Sequence, residues 1–136
     1  MALTAVLEIG DNTTKLYYKQ YMLTDLRLVF NRSYKVVPTG IARCERMELT
    51  VVAPGKDDLF MFDWFLRSTS ISGRIVITLN DEDKGSDSNS QVIFFEDAYC
   101  FSMSEKYDID NSRRRLLKMA MVSEKIDIKE VTFKCI

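Results

Sequence analysis

The chain of 136 residues contains no histidine, only three cysteines and only two prolines. Without histidine, the commonest general base is missing, and the Ser-His and Cys-His pairs of nucleophilic enzymes are excluded. The cysteines Cys44, Cys100 and Cys135 are far apart and form no CxxC pair, so no metal site is predicted. We expect buried, reduced thiols, which fits folding in a reducing compartment.

The sequence also lacks an excess of charge of one sign. Its 19 lysines and arginines nearly balance 20 aspartates and glutamates, which gives a net charge of -1. A nucleic-acid or anionic-membrane binder usually carries a basic excess, so neither partner is predicted. The densest positive run is Arg113-Arg114-Arg115. We interpret it as a loop that forms salt bridges within the chain or to a neighbouring subunit, with a phosphate contact as the alternative.

Long hydrophobic runs and nucleotide-binding motifs are missing as well. No stretch of about 18 apolar residues occurs, and the N-terminus lacks the basic region of a secretory signal peptide. The patterns GxxxxGK[ST] and GxGxxG are not found. We therefore predict no membrane insertion, no cofactor, no catalytic residue and no enzyme activity.

The sequence is rich in short β-branched and aromatic stretches separated by turn clusters, which predicts strands. One or two strands are expected over residues 92–107, with a bulge or sheet corner at Glu96-Asp97. The other predicted strands are residues 5–9, 16–23 with 26–30, 43–52, 74–79, 115–122 and 131–136. This pattern favours a mainly β fold, a small antiparallel barrel or sandwich, in one domain over residues 1–136.

One helix is predicted, at about residues 56–67. Leu59, Phe62 and Leu66 recur at helical spacing, and Asp57 and Asp58 suit the positive end of a helix dipole. We interpret the aromatic residues of this helix as core packing.

The stretch Val92-Ile93-Phe94-Phe95 is apolar on both sides of its strand. Val92 and Phe94 point to one side, and Ile93 and Phe95 point to the other. A strand that is apolar on both sides needs cover on both sides, and in a short chain part of that cover can come from another copy. We therefore predict that these four residues contribute to a subunit contact, with burial in the chain's own core as the alternative.

Polar and apolar residues alternate along the strand at residues 43–52, which predicts one solvent-exposed face, called the wet face below. Met47, Leu49 and Val51 point to one side, and the other side carries Cys44, Arg46, Glu48 and Thr50.

Several segments in this order resemble the tube protein of the type VI secretion system, the hemolysin-coregulated protein (Hcp) family. The resemblance covers most of the chain from about Leu7 onward. The segments that carry it are Asp58-Leu59-Phe60, Asp63-Trp64-Phe65, Ser72-Gly73-Arg74-Ile75, Ile93-Phe94-Phe95-Glu96-Asp97-Ala98-Tyr99-Cys100, Ser104-Glu105-Lys106-Tyr107-Asp108 and Leu117-Lys118-Met119.

The resemblance implies a small β barrel of two packed sheets with one helix and no catalytic residues. It implies that six copies form a ring, and that rings stack into a hollow tube that is expelled with effectors. The implied partners are further copies of the chain and the sheath, spike and effector proteins. The implied location is the bacterial cytoplasm, followed by secretion without a cleaved signal peptide. Two alternatives are a monomeric β-barrel adaptor or binding module and a phage-tail-type tube protein.

Two candidate sites follow from this resemblance. The wet-face residues Arg46, Glu48 and Thr50 are expected to line the lumen, because a passage for varied cargo should be polar. The stretch 31–42 is expected to reach a neighbouring subunit through Tyr34, Val36 and Val37, together with the contact at residues 92–95.

Overall fold

The computed structural model describes residues 2–32, 43–53, 55, 58–80, 90–108, 114–128 and 131–134. Within these ranges the chain forms a mainly β fold with a single helix, as predicted. The elements are β1 (Ala2–Asp11), β2 (Leu16–Asn31), β3 (Arg43–Val52), α1 (Phe60–Arg67), β4 (Ile71–Asn80), β5 (Ser90–Asp108), β6 (Arg114–Ile128) and β7 (Val131–Lys134). No helix in these ranges has the length and hydrophobicity needed to span a bilayer.

All strand pairs are antiparallel, in the order β3-β2-β1-β4-β5-β6-β7. An additional pairing between β3 and β6 closes the sheet into a barrel. The predicted small antiparallel barrel with one helix is thus confirmed.

Three long strands, β2, β5 and β6, bend and take part in both halves of the barrel. The six-stranded sheet consists of β2 residues 16–23, β1, β4, β5 residues 90–98, β6 residues 123–128 and β7. The four-stranded sheet consists of β2 residues 25–31, β3, β6 residues 114–121 and β5 residues 100–108. These are the two packed sheets that the resemblance implied.

The bend in β5 is a β-bulge. Asp97 has a φ of 52°, in the left-handed region that Asp tolerates better than most residues. The register with β4 shifts between Ile71 and Gly73, and the Asp97 N–H donates to Ser72 Oγ at 3.1 Å. The predicted bulge or corner at Glu96-Asp97 is confirmed, and it redirects β5 from one sheet to the other.

The core lies between the two sheets. It is formed by every second residue of each strand, the one whose side chain points towards the opposite sheet. Met47, Leu49 and Val51 are buried as predicted. The expected position of Cys44 on the wet face is wrong, because a register shift between Val29 and Phe30 leaves Glu45 as an extra residue and turns Cys44 inward. Cys44 and Cys100 are both buried, as expected for structural thiols.

The helix fills the corner where β5 leaves β4. It begins at Phe60, and the Asp58 carboxylate accepts a hydrogen bond from the Phe60 N–H at 3.1 Å, so the predicted acidic start is present. The Trp64 indole N–H donates to the Ala98 carbonyl at 3.0 Å. The residues that enter the core are Met61 and Trp64, whereas Leu66 is 81% exposed. Of the predicted stripe, Phe62 is partly buried against the core, whereas Leu59, like Leu66, is exposed, so the predicted stripe is correct only in part.

Candidate functional site

The four predicted contact residues at 92–95 divide between two environments. Ile93 and Phe95 are 2% and 0% exposed and belong to the core of this chain. Their side chains are covered by the second sheet of the same barrel, so their assignment to a subunit contact is wrong. Val92 and Phe94 are half-buried and lie on the outer face of the six-stranded sheet.

Val92 belongs to an apolar band that crosses this outer face. Cross-strand pairing places Val92 opposite Val76, Val76 opposite Val6, and Val6 opposite Met22. Neighbouring strands are about 4.8 Å apart, so the four side chains form a continuous row. Met22 is 62% exposed. Sequence reasoning missed Val6, Met22 and Val76, because a local pattern contains no information on cross-strand register.

A row of charged groups next to the apolar band is paired within the chain. The Glu8 carboxylate accepts from Gln20 Nε2 at 2.9 Å and from Arg74 Nε at 2.9 Å. The Arg74 guanidinium also lies over the Tyr17 ring, 4.3 Å from its centroid. Partial burial raises the pKa of Tyr17, although Arg74 acts in the opposite direction. Glu8 and Arg74 therefore find their polar partners within this chain and need no second protein to compensate their charges.

The three predicted lumen residues lie together on the outer face of the four-stranded sheet. The Glu48 carboxylate pairs with Arg27 Nη1 at 3.4 Å and with Arg46 Nε at 3.6 Å. Thr50 lies beside Glu48 on β3, between Asp25 of β2 and Lys118 of β6. We call this surface the polar face, because most of its side chains are charged or carry a hydroxyl group. Its described members are Asp25, Arg27, Val29, Arg46, Glu48, Thr50, Val52, Ser102, Ser104, Lys106, Leu116, Lys118 and Ala120.

The polar face ends in two strand edges. Among the described residues, the ladder between β1 and β2 stops at Ala5 and Leu23, and the ladder between β4 and β5 stops at Ile71 and Ala98. Beyond these points, β2 residues 25–29 pair only with β3, and β5 residues 102–107 pair only with β6. We call these segments the β2 edge and the β5 edge.

The β2 edge starts at an open groove of about 250 Å³ where β2 separates from β1. The groove is lined mainly by apolar side chains from three strands: Leu3, Ala5, Leu23, Thr24, Asp25, Leu26 and Ile77. The equivalent corner at β5 is filled by the helix. The two edges therefore have different surroundings, which suits a contact between unlike surfaces.

The remaining predicted residues are only partly covered by the structure. Tyr34, Val36 and Val37 lie outside the described residues, as do Arg113 and the side chain of Arg114. Arg115 pairs with Glu105, with 3.2 Å between Nε and Oε1, so one of the three arginines forms the intrachain salt bridge that was predicted. No group of three metal-ligating side chains is found in the described part of the chain.

Comparison with solved structures shows the fold class. A crystal structure of an Hcp protein shares 13% identity with this chain, covers 99% of both chains and has a TM-score of 0.74. Hcp1 from Flavobacterium johnsoniae shares 13% identity over 96% of this chain and 98% of that chain, with a TM-score of 0.69. The baseplate of the anti-feeding prophage, 6-fold symmetrised, gives 12% identity over 94% and 93% of the two chains and a TM-score of 0.53. The fold is that of the solved Hcp structures.

The family follows from the sequence. The family model for "Hemolysin coregulated protein Hcp (TssD)" matches residues 1–135. The chain therefore belongs to the Hcp (TssD) family, the secreted tube proteins of type VI secretion systems, which is a structural rather than an enzymatic family. A search of curated proteins gave no significant sequence match.

Proposed function

We propose that six copies of this chain form a ring, and that the rings stack into a hollow tube that carries effectors when a type VI secretion system expels it. The observation that carries this proposal is the four-stranded sheet, whose outer face is mainly polar and whose two edge strands pair on one side only among the described residues. Expulsion from the bacterial cytoplasm without a cleaved signal peptide is part of the same proposal.

The two edges support assembly because they can pair with each other. An open strand edge presents backbone N–H and C=O groups that are ready to pair with another chain. Three antiparallel ladders separate β2 from β5 in the four-stranded sheet, so the two edge strands run in opposite directions. The β5 edge of one copy can then add to the β2 edge of the next in an antiparallel arrangement. Repetition of one contact between unlike surfaces closes into a ring when the rotation permits.

The two outer faces determine which side of the barrel points to the hole. With the polar face inward, Arg46, Glu48 and Thr50 line a water-filled lumen, as predicted from the sequence. With the opposite orientation, the apolar band from Met22 to Val92 would line the water-filled lumen, whereas on the exterior it can be covered by the sheath, which removes apolar surface from water at a gain of about 25 cal/mol per Å². The first orientation is the favourable one.

This orientation gives Val92 and Phe94 a new role. The two sheets pack face to face, so the outer face of the six-stranded sheet points away from the lumen. We assign Val92, Phe94 and the rest of the apolar band to the exterior of the tube, where the sheath surrounds it, instead of to the contact between neighbours. Contacts with spike and effector proteins, and the contact of Tyr34, Val36 and Val37 with a neighbouring subunit, remain predictions.

Size-exclusion chromatography with light scattering and negative-stain microscopy of the purified chain test the proposal. We expect a species of six subunits and rings with a central hole. A strictly monomeric protein at high concentration would contradict the proposal and favour the adaptor alternative.

Proline substitutions on the β5 edge test the mode of contact. In an antiparallel edge strand, successive N–H groups point alternately to the paired strand and to the open side. Of the variants Ser104→Pro and Glu105→Pro, we therefore expect one to lose an internal hydrogen bond and unfold more easily. The other should keep the melting temperature of the parent chain and fail to form rings. If the stable variant still forms rings, the edges do not join the subunits.

A further inference from the structure

We infer that the β5–β6 half of the polar face is a contact site for acidic cargo, meaning proteins or peptides that present clustered carboxylates. This inference rests on the proposed function, because it takes the polar face to line the lumen.

The β5–β6 half presents hydrogen-bond donors and positive charge. Ser102 lies opposite Ala120, and Ser104 lies opposite Lys118. Lys106 follows in the next outward position of β5, and both lysines are exposed. A shallow depression of about 320 Å³ lies among these side chains and is lined by Glu48, Ser102, Ser104, Lys118, Met119 and Ala120.

The β2–β3 half of the same face is different, because its two arginines are paired with carboxylates and it also carries the exposed carboxylate of Asp25. The Glu48 carboxylate lies between the guanidinium groups of Arg27 and Arg46, and Arg46 also contacts Glu45 at 2.8 Å. In the part of the chain that the structure describes, no ion pair involves Lys106 or Lys118. The positive charge of the β5–β6 half is therefore available to a ligand, although the whole chain has a net charge of -1.

The donor set favours carboxylates over nucleic acid. Lysine ammonium and serine hydroxyl groups donate to carboxylate oxygens. The described outward side chains of this half, at 102, 104 and 106 of β5 and at 116, 118 and 120 of β6, include no arginine for a bidentate contact with phosphate. Phe101, at the register shift between Cys100 and Ser102, is 52% exposed, so base stacking on this ring is the competing mode that the experiment below tests. In a closed ring the site is repeated around a narrow channel, which concentrates its field on the cargo.

Binding of a fluorescent decaglutamate peptide to the assembled chain tests the site by fluorescence anisotropy. We expect binding that weakens as salt is raised from about 50 to 300 mM. Lys118→Glu should weaken binding about tenfold, because it replaces attraction by repulsion at the site. Lys118→Gln, which only removes the charge, should give a smaller loss. Lys15→Glu is the matched control, because Lys15 is exposed in the turn between β1 and β2, away from the polar face.

The outcomes separate this inference from the proposed function. If rings form but decaglutamate binds no better than decalysine, or if Lys15→Glu weakens binding as much as Lys118→Glu, the inference is wrong and the tube proposal stands. Tighter binding of a ten-nucleotide single-stranded DNA than of decaglutamate also overturns it. If no rings form, the proposed function fails. The binding site can still be tested on the unassembled chain, where weaker binding of decaglutamate by the Lys118 variants than by the parent chain would support it.

Discussion

The two sheets of the barrel differ in the chemistry of their outer faces and in what fills their corners. The six-stranded sheet has its corner filled by the helix and its charged row paired internally. The four-stranded sheet has a mainly polar outer face. Among the described residues each sheet ends in two strands that pair on one side only: β2 residues 16–22 and β7 in the six-stranded sheet, and the β2 edge and the β5 edge in the four-stranded sheet. We propose a division of roles: the six-stranded sheet and its helix provide most of the stability, and the four-stranded sheet provides the contacts of the proposed ring. Each prediction below tests that division.

The largest effect is expected from Trp64→Ala, at the corner filled by the helix. Trp64 is 2% exposed, and its indole donates to the Ala98 carbonyl. The substitution removes a large core side chain and leaves a buried carbonyl without its donor, so we expect a loss of about 3–5 kcal/mol in the free energy of unfolding. Chemical denaturation measures it. Leu66→Ala, on the exposed side of the same helix, is the control and should change stability by less than about 0.5 kcal/mol.

Gly73→Ala should have the next largest effect, because β1 and β4 approach closely at this position. A Cβ atom on Gly73 would lie 2.1 Å from the Glu8 carbonyl oxygen, which is backbone and cannot turn away. We expect a loss of about 1–3 kcal/mol from the forced shift of the strands. Gly55→Ala is the matched control, since nothing lies within 4 Å of its Cβ position. Equal melting temperatures for the two variants would show that the six-stranded sheet is less tightly defined than we describe.

Asp58→Asn tests how the helix is attached to β2. The Asp58 carboxylate accepts hydrogen bonds from the Phe60 N–H, from Lys19 Nζ at 3.2 Å and from the Tyr21 hydroxyl at 3.1 Å. Partial burial alone would raise the pKa of Asp58, but these interactions together lower it from its ordinary value of 3.8. We expect the variant to lose about 1 kcal/mol at neutral pH.

The pH dependence of this loss follows from the direction of the shift. Because the folded-state pKa of Asp58 is below its unfolded value, the stabilisation is complete above pH 3.8 and decreases as the pH falls through the folded-state pKa. The parent chain and Asp58→Asn should therefore converge in stability in acid. A constant difference between them down to pH 2 would contradict the assigned role of the carboxylate.

The smallest effect on stability is expected from Val92→Thr in the apolar band. The side chain keeps its shape and lies half-buried on the outer face, so the melting temperature should change little and ring formation should be unchanged. Co-sedimentation of assembled tubes with the sheath should decrease, because a hydroxyl enters the apolar contact. Loss of rings with normal sheath binding would return this face to the contact between subunits.

The sequence allowed the prediction of elements more reliably than of their surroundings. Alternation identified β3 and its buried side, and the Glu96-Asp97 dipeptide predicted the corner in β5. The position of Cys44 was missed because a bulge reverses the alternation. In the helix, core packing was predicted correctly for Trp64 and Phe62, whereas Leu59 and Leu66 are exposed because the orientation of the helix on the barrel does not follow from residue spacing.

The candidate site was predicted in part for the same reason. The polar side chains of residues 46–50 were identified because local alternation determines which way they point. The strand at 92–95 does carry apolar side chains on both faces, as the sequence indicated. Ile93 and Phe95, however, are covered by the second sheet of the same barrel and not by another copy of the chain. The two strand edges and the row from Met22 to Val92 depend on cross-strand register, which no local pattern contains.

A cryo-electron microscopy reconstruction of the assembled chain tests the central claim most directly. The account predicts a ring in which the β5 edge of each copy pairs with the β2 edge of the next, Glu48 points into the hole and Val92 points outward. A ring in which Val92 lines the hole, or in which both edges remain unpaired, would contradict it.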